Sequence, residues 1–370
     1  MKQGFCFLIA VFFILPVAAQ NEKGLKDVLD GKFYIGTALN AGQITGKDTN
    51  GLRILKEHFN SIVPENCMKS EGIHPEEDRF DFDLSDRYVA LGEKNGMFVI
   101  GHALIWHSQL SRWFCVDETG NNVSPEVLKA RMKDHITTIV RRYKGRVHGW
   151  DVVNEAILED GSYRKSKFYE ILGEEFIFLA FKYAHEADPD AELYYNDYNE
   201  WFPEKSEAIV RLVKKLKEKG LRIDAVGMQG HIGMDSPSVE AYEKAIVAYA
   251  DAGVKVMVTE LDLSILPYPK KDVGADISAD FAYREELNPY TKQVPDSVSV
   301  AWNDRLGMFF RMFLKHADKI SRVTVWGIAD GDSWRNNFPV RGRTDYPLLF
   351  DRTHRPKPVV HTIMEEAGKD

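Results

Sequence analysis

The sequence predicts an α/β protein folded as one (β/α)8 TIM barrel, and three observations carry the prediction. Short apolar, β-branched runs alternate with longer amphipathic ones, eight of each over about 340 residues. No glycine-rich dinucleotide or phosphate loop follows the early runs, which removes the commonest reason for an open doubly wound sheet. No proline- or serine-rich linker divides the chain beyond residue 19, so residues 20–370 are expected to form a single domain.

The strands are expected in the following order. Residues 33–38 open on Phe33, Tyr34 and Ile35, and residues 61–64 run through Ile62 and Val63 to a stop at Pro64. Residues 98–104 carry Phe98, Val99 and Ile100, and residues 147–154 carry Val147, Val152 and Val153. Residues 192–196 carry Leu193, Tyr194 and Tyr195, and residues 225–229 carry Val226 and Met228. Val256, Met257 and Val258 mark 255–260, and Val323 and Val325 mark 323–326. Helical periodicity is expected over 51–59, 84–95, 125–143, 168–187, 203–219, 239–252 and 301–316, with a last helix after Pro358. Ser124 suits an N-cap with Pro125 at the first helical position. Gly220 follows Lys214, Lys215, Lys217 and Lys219 and reads as a helix stop, with cations at the negative dipole end.

At 44% hydrophobic residues the chain can bury a large core. Its net charge of -8 argues against nucleic acid as a partner, because phosphate binding needs a basic surface. A neutral polymer stays open. The 12% aromatic content fits a cleft in which flat rings stack on sugar faces, although large aromatic cores are the commoner source.

The N-terminus has its own logic. Lys2 precedes an apolar run over 5–15, followed by Pro16, Val17, Ala18 and Ala19. A basic start, a short apolar core and a small-residue exit form a secretory signal peptide, expected over residues 1–19. About eleven apolar residues fall short of the roughly twenty needed to span a bilayer. A secreted or periplasmic protein without a membrane span in its mature chain is therefore expected. Two cysteines remain in that chain, Cys67 and Cys115, and their spacing leaves open whether they pair.

Chemistry-bearing residues cluster after the strand ends, on the face where a barrel keeps its reactive groups. Glu65, Asn66 and Lys69 follow the second strand, and His102, Trp106, His107 and Gln109 follow the third. Asn154 and Glu155 close the fourth, and Asn196 the fifth. Gln229 and His231 follow the sixth, Glu260 and Asp262 the seventh, and Trp326 and Trp334 the eighth. Amides and imidazoles both donate and accept, as a ligand rich in hydroxyls requires. Glu155 and Glu260 each end an apolar run, and two carboxylates converging on one cleft can cut a glycosidic bond. A single such glutamate would read equally well as a solvated surface charge.

These segments resemble glycoside hydrolase family 10, the retaining endo-β-1,4-xylanases. The likeness runs from about Leu25 to Val360 and is most specific at 150–156, at 101–109 and at 259–262. It implies that Glu155 is the general acid/base and Glu260 the nucleophile. It implies that Asn154 bonds the 2-hydroxyl of the sugar at the cleaved bond, and that His231 bonds the nucleophile with Asp262 orienting it. Glu65, Asn66, Lys69, His102, Trp106 and Gln109 match the non-reducing-side sugar contacts, Trp326 and Trp334 the indoles walling the cleft, and Asn196 and Gln229 further contacts near the cleaved bond. The implied substrates are xylan and xylo-oligosaccharides, and a monomer is expected, although the sequence itself does not disclose the oligomeric state. Ser70 and Ser111 depart from the family pattern, where a larger residue and a proline are common. The segment 267–300, with Phe281, Tyr283 and Tyr290, is long for a βα loop, and either extends the leaving-group side of the cleft or packs on the barrel rim.

The mechanism follows from the two acids. In the retaining site that the resemblance implies, the two carboxylates lie about 5–5.5 Å apart and repel, so Glu155, the implied acid, is expected to hold a proton while Glu260 is ionised. A metal reading of His102, His107 and His231 lacks ligand spacing, and neither metal nor cofactor is expected. Trp106, Trp326 and Trp334 suit core or cleft, and Lys69 suits cleft or surface. Position after a strand end favours the cleft for each. Two rivals remain: a β-1,4-glucanase on the same barrel, and a carbohydrate-binding barrel without catalysis. The second gains little from two mutually repelling acids.

Overall fold

The computed structural model describes residues 23–269 and 279–369. The expected leader at 1–19 lies outside the described residues. The strands are β1 (Tyr34–Leu39), β2 (Ser61–Pro64), β3 (Phe98–Trp106), β4 (Gly149–Asn154), β5 (Glu192–Asp197), β6 (Ala225–Met228), β7 (His231–Gly233), β8 (Lys255–Ser264) and β9 (Ile320–Val325). All pairings are parallel. They run from β1 through β6 to β8 and β9, and β9 returns to β1, which closes the barrel. Closure leaves no free edge.

Eight positions were expected, and eight are present. The sixth is broken into β6 and β7, both of which pair with β8. The break falls at Gln229 and Gly230, where Gly230 takes a φ of 77° that an L-residue avoids. After the break, His231 stands opposite Asp262.

The outer helices are Thr49–His58, Asp83–Lys94, Pro125–Arg142, Glu175–Ala187, Pro203–Glu218, Val239–Asp251, Asp296–Lys315 and Pro358–Ala367. Ser124 caps its helix by accepting from the Val127 N–H at 3.3 Å. The helix expected over 168–187 is in fact two, Lys167–Leu172 and Glu175–Ala187. Gly173, with φ 58°, separates them, and the continuous apolar pattern hid the break.

Helices cover the outside of the sheet and side chains fill its inside, so the strands are buried on both faces. The larger core cluster joins strands to helices. A smaller one holds Ala38, Val63, Ile100, Tyr194, Ala225, Met257 and Trp326, all on strands or a strand end, and fills the barrel interior. Close approach explains Gly227: a Cβ there would stand 2.4 Å from Asn196 Oδ1, so glycine leaves room for a site residue.

Cys67 and Cys115 are free and buried, and burial pushes both thiols up to about 12. They are inert at neutral pH. Of the segment 267–300, residues 270–278 lie outside the described residues. In the remainder the Phe281 N–H bonds Pro339 O at 3.0 Å and the Tyr346 hydroxyl bonds Tyr290 O at 2.9 Å, which ties these two positions to the rim, while Tyr283 is exposed.

Candidate active site

Thirteen of the fifteen residues to which the resemblance gives a role line one open cavity at the C-terminal end of the barrel. The other two, Asn196 and Asp262, stand behind it and bond the residues that line it.

Glu155 sits one residue beyond β4 with φ 59°. That left-handed conformation costs a residue with a Cβ on the order of 1–2 kcal/mol, so its surroundings must impose it. Its N–H bonds Asn196 O at 2.9 Å, and its carbonyl accepts from Arg164 Nε at 2.9 Å. Three donors meet the carboxyl: Trp106 Nε1 at 2.8 Å, Gln229 Nε2 at 3.0 Å and Asn154 Nδ2 at 3.2 Å. Hydrogen bonds of this kind favour the anion. Burial outweighs them, and with the charges of Asp197 and Glu260 it pushes Glu155 up to about 7. Repulsion from the second acid, expected from the sequence as the main cause, is not the largest. Instead burial leads, and Asp197 contributes more than Glu260.

Glu260 and Asp262 alternate along β8 and so share a face. Glu260 accepts from Asn196 Nδ2 at 2.8 Å and from His231 Nε2 at 3.3 Å. The other nitrogen of the ring, Nδ1, lies 2.9 Å from Asp262 Oδ2. Both ring nitrogens therefore face carboxylate oxygens, and only an imidazolium can donate to both. Burial opposes that charge, but Asp262 and Glu260 overcome it and raise His231 to about 9. In return, Glu260 lies below the usual carboxylate range: burial would raise it, and the His231 bond with the nearby positive groups, Lys69 among them, more than reverses this. Asp262 also accepts from Trp334 Nε1 at 2.8 Å and Arg335 Nε at 3.0 Å. Against the cost of burial, the Arg335 and His231 charges hold it at about 2. Arg335 in turn bonds the Tyr268 hydroxyl.

The two acids are joined by amides. Asn154 donates to Glu155 and accepts from Asn196 at 3.0 Å, while Asn196 also donates to Glu260. Thr259 Oγ1 fixes the Asn196 amide by donating to its oxygen at 2.6 Å. One carboxyl is thus set to keep its proton and the other to lose it, across a single cavity.

On one side of the acids, Lys69 is buried, which removes the surface alternative. Its ammonium bonds Gln109 Oε1 at 2.9 Å and Asn66 Oδ1 at 3.1 Å and lies 4.8 Å from the Trp106 ring centroid. Burial lowers its pKa, and the charges of Glu260, Glu65 and Glu155 oppose that. Burial likewise raises Glu65. His102 is anchored by Asp151, its register partner on β4, at 2.8 Å. Trp326 packs edge-on to His102 at 5.4 Å, and Trp334 lies 4.8 Å from the His231 ring. The departures at Ser70 and Ser111 prove to be one feature. Their hydroxyls bond each other at 3.0 Å and tie the loop after β2 to the loop after β3.

Sequence reasoning missed Arg164, Asp197, Tyr268 and Arg335 behind the acids, and it gave Trp106 a sugar contact but not its bond to Glu155. Asp151 carried a signal, since an acid inside an apolar strand needs a partner. Arg335 directly follows Trp334. Arg164 had no local signal. Among the described residues, no group of three or more His, Cys, Asp or Glu is placed to hold a metal ion.

The sequence profile of glycosyl hydrolase family 10 matches residues 24–366. The chain is 51% identical over 354 residues to endo-1,4-beta-xylanase A of Xylanibacter ruminicola, spanning 95% of this chain and 96% of that one. It is 41% identical over 342 residues to an endo-1,4-beta-xylanase of Geobacillus stearothermophilus, spanning 92% and 97%. A GH10 endoxylanase retrieved from a sugarcane soil metagenome superposes with a TM-score of 0.90 at 45% identity, covering 92% of this chain and 99% of that one.

Proposed function

This chain belongs to glycosyl hydrolase family 10, and from that premise we propose that it cuts internal β-1,4-xylosidic linkages of xylan with retention of configuration. One observation supports this most: two buried carboxyls in one cavity, Glu155 held up to about 7 and Glu260 held below the usual carboxylate range. In the first step the Glu260 carboxylate attacks the anomeric carbon as the glycosidic C–O bond breaks, and Glu155 gives its proton to the leaving oxygen. The glycosyl ester neutralises Glu260, which removes one of the charges that raise Glu155. Glu155, now a carboxylate, takes a proton from water as the water oxygen attacks the same carbon and expels Glu260.

Asn154 is assigned to the 2-hydroxyl, a bond that strengthens as the ring flattens toward an oxocarbenium ion. Glu65, Asn66, Lys69, His102, Trp106 and Gln109 are assigned to the non-reducing-side sugars, and Trp326 and Trp334 to the cleft walls. His231 and Asp262 hold Glu260 ionised, and Asn196 and Gln229 fix the acids. Action as a monomer belongs to the same proposal.

Xylose lacks the exocyclic CH2OH of glucose, and the bulk of Trp326 and Trp334 is the candidate for excluding it. Turnover of xylan, with rates compared on xylo- and cello-oligosaccharides of equal length, tests the substrate. The expected result is a mixture of internal products from xylan and a much faster rate on xylo-oligosaccharides. Faster turnover of the cello-series would assign the chain to glucan, and no turnover of either would make it a binding barrel.

The site of action belongs to the same proposal. A wall polymer cannot enter a cell intact, which suits export through the leader at 1–19. Among the described residues no helix is long and apolar enough to cross a membrane. Intact mass of the exported protein should place its first residue near Gln20. A membrane-bound species beginning at Met1 would show that the apolar run is an anchor.

A further inference from the structure

We infer that Arg164 is a positioning residue for the proton-transfer steps, holding the Glu155 backbone in the conformation that aims its carboxyl at the leaving oxygen. The inference rests on Glu155 being the acid.

The left-handed backbone at Glu155 turns its carbonyl out of the β4 ladder, whose pairings end at Asn154. Three N–H groups in this stretch are tied to the end of β5: Glu155 to Asn196 O at 2.9 Å, Ala156 to the Tyr195 hydroxyl at 3.1 Å, and Ile157 to Asp197 Oδ2 at 3.4 Å. The Glu155 carbonyl is held by a separate group, Arg164 Nε at 2.9 Å. Arg164 is itself fixed. Its N–H bonds Ala156 O at 2.8 Å, which closes a short hairpin bridged between Ile157 and Tyr163. Its Nη2 donates to the Tyr198 hydroxyl at 2.7 Å, and Tyr198 is buried just beyond β5.

The carboxyl therefore depends on a residue held at both its N–H and its carbonyl. If the carbonyl is released, the backbone can relax toward an ordinary conformation, and the carboxyl then swings away from the bond it must protonate. Arg164 bonds the Glu155 carbonyl and the Tyr198 hydroxyl, while Glu260 is held by Asn196 and His231, so attack should be spared. That selectivity separates positioning from a general structural role, which would weaken every substrate alike.

The test compares kcat/KM for xylotetraose, whose leaving group needs a proton, with kcat/KM for 2,4-dinitrophenyl xylobioside, whose leaving group does not. Arg164→Met should lose about 100-fold on xylotetraose, the scale of an ångström-sized misplacement, and less than about 3-fold on the dinitrophenyl substrate. Arg164→Lys should recover part of the loss, and Tyr198→Phe, which removes the hydroxyl at Nη2, should show a smaller loss of the same kind. Stoichiometric labelling of Glu260 by a 2-deoxy-2-fluoro dinitrophenyl xylobioside confirms a folded site. Should Arg164→Met not fold, Arg164→Lys and Tyr198→Phe decide by the same ratio. Equal losses on both substrates, or none on either, overturn the role of Arg164. The Glu155→Ala control separates the two levels: if that variant lacks leaving-group selectivity, the acid assignment itself fails.

Discussion

Glu260→Ala should abolish hydrolysis of xylan while leaving the barrel folded, with a loss on the order of 10⁴-fold or more. Without the carboxylate there is no covalent route, and among the described residues no second acid is bonded to both Asn196 and His231 as this one is. The fold should tolerate the change because Glu260 lines the open cavity, where a shorter side chain leaves space continuous with the cleft. His231 keeps Asp262 as partner, so its charge is not stranded. Thermal unfolding near that of the wild type, together with the loss of turnover, is the expected pair of results. A folded variant hydrolysing xylan at close to the wild-type rate would refute the nucleophile assignment.

Glu155→Ala should divide its effect by substrate. Xylan needs a proton on the leaving oxygen and should lose several orders of magnitude. An activated aryl glycoside should keep most of its kcat/KM, because its leaving group departs unprotonated. Its slow step becomes hydrolysis of the glycosyl-enzyme, and azide should accelerate that step because an anion needs no general base. The pH profile carries the same signature. The first step needs Glu155 protonated and Glu260 ionised, so wild-type kcat/KM should be full between the two pKa values. It should fall as pH rises through about 7, where the acid loses its proton. It should also fall in acid, at a pH below the usual carboxylate range, where Glu260 gains one. In Glu155→Ala the fall near 7 should vanish for the activated substrate. Equal losses on both substrates, with that limb retained and no azide effect, would give Glu155 another role.

What the sequence disclosed and what it hid have a common physical origin. A buried parallel strand is a local signal, and a polar residue directly after it is equally local, so the barrel and the residues lining its mouth could be read together. Glu155 and Glu260 stood out because each ends an apolar run. The support behind them is long-range. Arg335 reaches Asp262 across 73 positions, and Asn196 reaches Glu260 across 64. Periodicity cannot report such pairs. Conformation was hidden as well: nothing around Glu155 announces a positive φ, and neither Gly230 nor Gly173 marked the breaks in strand and helix that they allow. The balance of forces on Glu155 was the subtlest part. Two acids in sequence suggest repulsion, whereas burial became visible only once Trp106, Gln229 and Asn154 closed around the carboxyl.

The central claim is double displacement by these two carboxyls, and the stereochemistry of the first product tests it most directly. Xylo-oligosaccharide hydrolysis followed by proton NMR from the first turnovers reads the anomer before mutarotation mixes the two forms. The account predicts the β-anomer first, because two inversions at one carbon restore the original configuration. An initial α-anomer would mean that water attacks directly, and Glu260 could not then be the nucleophile.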